Sequence, residues 1–481
     1  MKTFIRDEVF HSNVVAIADN KGNKITYRGL EERAEKLSEW IGDRSLIFVF
    51  CDHTAETAEF IYEMLYLNRV PFLLPDDIEW ELVEQLIERY QPQYIYCGRE
   101  YKACCEYRYR IEFVNHVVLH AKEKKTILHP DLAILLSTSG TTGSPKLVKL
   151  SYQNLYCNAE QICRHTDMKR EQKGISPLSM SYVYGLNFCL WHWHCGATLL
   201  ITDEPVLSNQ FREFYEKEKA NHFAGTPYLY QILRKIRFWD TEKLEYLHWA
   251  MSAGSQMSDS DQVWMVERMK DKFWITYGQT ESTGVITGMN FHEQCIRLGT
   301  IGRVMGNTEA TISSQTNELI LKGETVCMGY ANTREELAEG DMNHGILRTG
   351  DVAYMDEDKC IYLRGRLTRY VKILGKRVSL DDVEKYLDKK FSEAEFVCTG
   401  KDEQLSVYFT ERKKDVYVEN TDILLEIEKE APKLLDQNMK IPRKFIACKY
   451  IKEIPRNLAG KIMYTVLEDK GSGRENKGTD S

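Results

Sequence analysis

The sequence predicts an α/β protein built from several layers of helix and sheet, followed by a smaller α+β domain. Three observations carry this. Over the first third of the chain, amphipathic helical stretches alternate with compact apolar runs of strand length. Two such runs, near residues 133–136 and 273–276, open directly into polar, glycine-bearing loops. From about Gly299 the pattern becomes short β-like runs, and near Leu367 it becomes helix, strand and helix. A chain of 481 residues is also too long for one hydrophobic core, so two or three folding units are the prior.

The elements follow in order. Leu30, Ala34, Leu37 and Ile41 recur at helical spacing after Thr26, and Leu46 to Phe50 reads as a buried strand. The same pairing returns in the helical face of Ala58, Ile61, Tyr62 and Leu65 before the strand-like Val70 to Leu74, which is the rhythm of βαβ units. Ala133 to Leu136 is a strand that leads into the run Ser137 to Lys146, after which Ser151 can cap a helix reaching His165, so this loop is expected between strand and helix. Phe273 to Thr276 is a strand that runs into Tyr277-Gly278-Gln279-Thr280-Glu281. Leu319 to Leu321 and Cys360 to Leu363 are short strands. Beyond Leu367 come a helix over Leu380 to Phe391, a strand over Leu405 to Phe409 and a helix over Ile423 to Leu434. The Gly- and charge-rich segment from Asp469 to Ser481 has no apolar period and reads as a disordered tail.

Composition excludes several classes. Apolar residues make up 43% and charged residues 28%, as in ordinary globular proteins, and a net charge of −8 argues against a nucleic-acid backbone or an anionic membrane as main partner. Charges at Lys2, Arg6, Asp7 and Glu8 interrupt the N-terminus where a signal peptide would be apolar. The apolar stretch Leu186 to Ile201 contains His192 and His194 and is shorter than the roughly 20 residues of a spanning helix. Thirteen irregularly spaced cysteines fit reduced thiols rather than a disulfide framework. A cytoplasmic protein without structural disulfides is the expectation. His192, His194 and Cys195 lack paired zinc spacing, and no metal is assigned to them.

The run Ser137-Thr138-Ser139-Gly140-Thr141-Thr142-Gly143-Ser144-Pro145-Lys146 supplies what a polyphosphate needs: glycines that let backbone N–H groups approach, hydroxyl donors, and a lysine. It lacks the Walker A spacing, and Gly299, Gly302 and Gly306 do not form a dinucleotide fingerprint. Read alone, the run favours phosphate binding over a plain surface turn, and the rest of the chain decides between them.

With four further motifs downstream in one order, the chain resembles the acyl-adenylate-forming superfamily over roughly residues 15 to 468. Those motifs are Tyr277 to Glu281, Arg348-Thr349-Gly350-Asp351, Gly365-Arg366, and Pro455-Arg456-Asn457-Leu458-Ala459-Gly460-Lys461. The resemblance implies a large N-terminal AMP-binding domain over 1–366, with layered α/β subdomains and a distorted β-barrel. It also implies a small mobile α+β domain over 367–468, with 469–481 as tail. It implies ATP and Mg²⁺, with CoA or a carrier-bound phosphopantetheine as acyl acceptor.

The resemblance also distributes roles. Ser137, Thr138, Ser139, Gly140, Thr141, Thr142, Gly143 and Lys146 would cradle the phosphates; Glu281, with Thr141, would hold Mg²⁺, an ion that takes one or two carboxylates plus phosphate oxygens. Tyr277, Gly278, Gln279, Thr280 and Gly254 would meet the adenine. Asp351 would accept the ribose hydroxyls with Arg366 close by. Lys461 would stabilise the charge that develops as a carboxylate attacks the α-phosphate, and with Thr141 and Glu281 completes the catalytic set. Thr368 stands at the hinge where relatives carry Asp or Lys, Leu147 where they often carry Gly, and Gly375 lies on the pantetheine side.

Amino-acid-activating relatives hold the substrate amine with an Asp at a position that falls near Val183, and no carboxylate is there. A buried ammonium without a counter-charge is costly. The sequence therefore favours a fatty, small acyl or aryl acid, with Tyr182, Tyr184 and Asn187 lining its pocket, although these aromatics could equally be core packing. A stand-alone amino-acid adenylation enzyme loading a carrier protein is the alternative, and a family member that only binds is a third.

Overall fold

The computed structural model describes residues 3–99, 108–120, 126–137, 146–239, 244–290, 297–374, 376–401, 403–412, 421–457, 462–464, 466 and 467. The expectations for Thr138 to Gly143, Gly375, Lys461 and the tail fall outside them.

The strand Leu46–Cys51 shows how sequence becomes layer. All six residues are buried, and they divide by parity: Ile47, Val49 and Cys51 join one core cluster, Leu46, Phe48 and Phe50 another. A strand covered on both faces reads as an unbroken apolar run. It pairs in parallel with Val70–Pro75, Leu46 opposite Val70, and the helix Ala55–Tyr66 makes the crossover. Thr26 caps the helix Tyr27–Ser38 by accepting from Gly29 N, and Thr54 caps Ala55–Tyr66 by accepting from Thr57 N, which fixes where both begin.

Two large sheets form. One runs in the order Arg303–Val304, Gly284–Asn290, Phe273–Gln279, Trp249–Ser252, His222–Gly225, Lys173–Ile175, Thr198–Ile201, Val15–Asp19, Lys24–Thr26. The other runs Tyr330–Ala331, Leu147–Ser151, Leu132–Ser137, Val70–Pro75, Leu46–Cys51, Tyr94–Gly98, His116–His120, Arg108–Glu112. Both mix parallel and antiparallel pairs. The helices Tyr27–Ser38, Ala55–Tyr66, Tyr152–His165 and Val183–Cys195 share one core cluster with strands of both sheets, and further clusters cover the remaining faces. The predicted layered α/β architecture is therefore present.

One local expectation is corrected. The Ser137–Lys146 run does not join a strand to a helix: Leu147–Ser151 is itself a strand, antiparallel to Leu132–Ser137 with Ser137 opposite Leu147. The helix Tyr152–His165 starts only after it, with Ser151 as cap in a reciprocal capping box with Asn154. Leu147 is the first residue of that strand. It is fully buried in the core, opposite Ala331 on the neighbouring strand.

The chain divides into two compact units, 1–311 with 320–347 and 357–361, and 312–319 with 348–356 and 362–481. The strands Glu309–Ile312, Glu318–Lys322, Ile346–Met355 and Ile361–Arg366, where the barrel was expected, form a four-stranded sheet in that order. The C-terminal region is a smaller separate domain. It holds the hairpin Tyr370–Ile373 and Lys376–Ser379, the helix Leu380–Lys390, a three-stranded sheet of Ala394–Lys401, Gln404–Glu411 and Ile446–Tyr450, and the helix Thr421–Met439 around one core.

Candidate active site

In the first unit, parallel strands deliver the predicted residues to one kind of place, their carboxyl ends. His222–Gly225, Trp249–Ser252 and Phe273–Gln279 are parallel neighbours, and the last two lead into Gly254 and Glu281. Thr276 Oγ1 donates to Ser252 O at 3.0 Å, tying two of these ends together. Gly254 takes φ of +98°, a conformation that favours glycine.

The turn carrying Glu281 is held from all sides. Thr280–Ser282 is one 3₁₀ turn, in which Gln279 N donates to Ser282 Oγ at 2.9 Å and the Gln279 amide reaches the Tyr277 hydroxyl at 3.2 Å. Gly278 packs so closely on Gly284 that a Cβ would lie 1.7 Å from Gly284 O. Thr283, fully buried, has φ of +56°. A β-branched residue in that region is strained and persists only when its surroundings over-determine it. Here Thr283 Oγ1 donates to Thr325 O at 2.6 Å, and Asn187 Nδ2 donates to Thr283 O at 2.6 Å.

Glu281 itself is half-buried, and Tyr330 Oη donates to its Oε1 at 2.7 Å. Lys146, at the end of the phosphate run, places Nζ 5.6 Å from the centre of the same Tyr330 ring. Burial, and then the Glu281 charge, push the Tyr330 phenol up, so it stays a donor. Among the described residues the Glu281 carboxylate pairs with no arginine or lysine. A carboxylate with no ion-pair partner among the described residues, set by a neutral donor at a strand end, fits a hard divalent cation.

The residues expected to line an acyl pocket lie at the start of the helix Val183–Cys195. Tyr182 is its N-cap, Tyr184 is buried and donates to Met251 O at 2.8 Å, and Asn187 is buried on Thr283 O and Asn158 Oδ1. Asn187 thus supports the Glu281 turn from beneath. His192 Nε2 meets His222 Nδ1 at 2.9 Å, and His194 bridges Phe4 O and Glu160.

In the second unit Asp351 is buried, and Arg366 Nε lies 2.9 Å from its Oδ1. Glu318 aligns the approach by accepting from Gly350 N at 3.0 Å and Arg348 Nη2 at 2.5 Å. Exposed Thr368 is bracketed: Arg366 N donates to Asp381 Oδ2 at 2.8 Å, while the Arg369 guanidinium meets the other oxygen of Asp381, Glu384 Oε1 at 2.6 Å and Cys398 O at 2.9 Å. Nothing in the sequence pattern had singled out Tyr330, Arg369 or Asp381.

A glycine-bearing turn and a carboxylate beyond the carboxyl ends of neighbouring parallel strands are the arrangement in which open α/β proteins bind ligands. More specifically, the chain belongs to the AMP-binding enzyme family, whose model matches residues 6–331. It is 28% identical to the peroxisomal OPC-8:0-CoA ligase 1 of Arabidopsis thaliana over 55% of this chain and 51% of that one. It is 24% identical to the D-alanine–D-alanyl carrier protein ligase of Staphylococcus epidermidis over 92% and 93%. The chain thus spans about half the length of the first of these relatives and nearly all of the second. The fold is that of ATP-bound MatB from Rhodopseudomonas palustris, with a TM-score of 0.74, 16% identity and 96% of each chain covered. It is also that of the o-succinylbenzoate CoA synthetase of Bacillus subtilis solved with an acyl-adenylate, with a TM-score of 0.73, 18% identity and 95% covered. No helix among the described residues is long and apolar enough to cross a membrane.

Proposed function

We propose that this protein is an AMP-forming acid–thiol ligase. A substrate carboxylate oxygen attacks the α-phosphorus of ATP and pyrophosphate leaves; a pantetheine thiolate then attacks the acyl carbon and AMP leaves. The observation that carries this reading is the meeting of Lys146 and Glu281 on Tyr330, which brings the lysine of the phosphate run and the carboxylate of the acidic turn to one point in an AMP-binding enzyme.

Lys146 supplies positive charge to the phosphates, with Ser137 and Thr138 to Gly143 as the cradle. Glu281, with Thr141, would hold Mg²⁺, which when bound neutralises phosphate charge. Tyr277, Gly278, Gln279, Thr280 and Gly254 form the adenine contact. Asp351 takes the ribose hydroxyls, its carboxylate oriented by Arg366. Lys461 stabilises the transition state of the first step. The domain 367–468 pivots at Thr368 to bring Gly375 to the thiol in the second step, and 469–481 is its tail. Free thiols at all ten described cysteines suit a cytoplasmic enzyme.

The acid is a fatty, small acyl or aryl acid, with Tyr182, Tyr184 and Asn187 beside it. Val183, at the position where an amine-binding carboxylate would stand, opens its helix with a neutral side chain. A second reading is favoured by one observation: the end-to-end match to the D-alanine ligase supports an amino acid as substrate and a carrier protein as acceptor.

Exchange of labelled pyrophosphate into ATP, run with fatty, aryl and amino acids, separates the two. Exchange with acids lacking an amine supports the first, and exchange with amino acids alone establishes the second. Thioester yield with CoA against a phosphopantetheinylated carrier then assigns the acceptor.

A further inference from the structure

We propose that Tyr330 is a positioning residue that aligns the Glu281 carboxylate and the Lys146 ammonium on the phosphates of one nucleotide; this rests on the function proposed above. The placement of Tyr330 is determined by backbone rather than by its own side chain. At one end of its segment, Cys327 N donates to Glu281 O at 2.9 Å and Thr325 O receives the Thr283 hydroxyl. At the other end, Tyr330 and Ala331 pair with Val148 and Leu147, the strand that begins directly after Lys146. Between them, Lys149 N donates to Gly329 O and Met328 N to Lys149 O, each at 2.9 Å.

Lys149 locks this splint further. It is fully buried, and Nζ donates to Glu336 O at 2.9 Å and Glu339 O at 3.0 Å, which anchors the turn that follows Tyr330. Tyr330 therefore stands at a fixed point between two segments that would both touch phosphate, and it addresses each with a different part of itself. The hydroxyl fixes the plane of the Glu281 carboxylate, and the ring face receives the Lys146 ammonium. Metal-holding groups are commonly oriented by such an outer donor, and loss of the donor weakens metal binding.

A placeholder role would have the opposite sign. If the phenol merely satisfied Glu281 until a cation displaced it, deleting the hydroxyl would tighten metal binding.

The test uses the full chain, Tyr330→Phe and Tyr330→Leu. Mn²⁺ affinity in the presence of ATP is read by electron paramagnetic resonance, and ATP affinity in EDTA by calorimetry. We expect Tyr330→Phe, which keeps the ring, to weaken Mn²⁺ binding roughly 10-fold while ATP binding in EDTA stays within about 2-fold of the parent. Tyr330→Leu should weaken both, because the ring contact is lost as well. Equal or tighter Mn²⁺ binding by Tyr330→Phe overturns the assignment. So does an unchanged ATP affinity in Tyr330→Leu. A parent protein that binds no ATP in either medium overturns the ligase reading itself, and the assignment with it.

Discussion

Glu281 and Asp381 are both carboxylates next to a loop that the proposed chemistry needs, yet their surroundings differ in kind. Glu281 receives a neutral phenol and, among the described residues, no guanidinium or ammonium. Asp381 receives the Arg369 guanidinium on one oxygen and the Arg366 N–H on the other. On the function proposed above, the first is left open for a cation; the second has its charge matched within the fold. Between these two carboxylates burial and hydrogen bonding do not mark the difference, but the charge of the partner does.

Substitution should separate the two cleanly. Glu281→Gln keeps the shape and an acceptor for Tyr330 but removes the charge, so pyrophosphate exchange should fall by roughly 10²- to 10³-fold, the usual effect of losing one transition-state-stabilising group. Its thermal midpoint should match the parent. An active Glu281→Gln would remove the distinction. Arg369→Ala should do the reverse to stability: it strands Asp381 and Glu384, both about 15% exposed or less, and breaking a buried pair costs about 3 kcal/mol or more. Urea unfolding of the C-terminal domain reads this, and an unchanged midpoint would show that the clamp carries no stability.

His116 offers a titratable version of the same clamp. Its ring lies between Asp52 Oδ2 at 2.9 Å and Glu56 Oε1 at 2.6 Å. Burial alone would lower its pKa, but hydrogen bonds and charges from both carboxylates outweigh that and raise it to about 9. A raised histidine contributes stability that is fully present below its ordinary 6.5 and is lost as pH rises through about 9. The thermal midpoint should therefore decline across that window, and the decline should shrink in His116→Gln. The smallest effect belongs to exposed Thr368: Thr368→Asp should change stability by no more than about 0.5 kcal/mol, and, if Thr368 is the hinge as proposed, should shift the ratio of the two half-reaction rates.

Much of the fold could be read from the sequence because local signals agreed with tertiary ones. Thr26, Thr54 and Ser151 cap helices whose apolar periods point the same way, and Leu46–Cys51 is continuous because both its faces are covered. The strand Leu147–Ser151 was hidden by Lys149, a lysine that looks like solvent-facing loop until two carbonyls from residues 336 and 339 are seen to receive it. Of the candidate site, the sequence named Asp351 and Arg366, which the structure pairs, and Glu281, which it sets in a tight turn. The site was not legible at Tyr330, 49 positions from the carboxylate it holds, nor in the pairing of Arg369 with Asp381. Such contacts are made by the packing of distant segments and leave no period or spacing behind.

The most direct test is the product of the first step. Incubated with ATP, Mg²⁺ and a mixture of fatty, aryl and amino acids in the absence of any thiol, the protein should yield an acyl-adenylate, visible by mass spectrometry together with stoichiometric pyrophosphate, and Glu281→Gln should yield none above background. ATP consumption that releases ADP and orthophosphate, or no acid-dependent adenylate from a protein that binds ATP, would contradict the account.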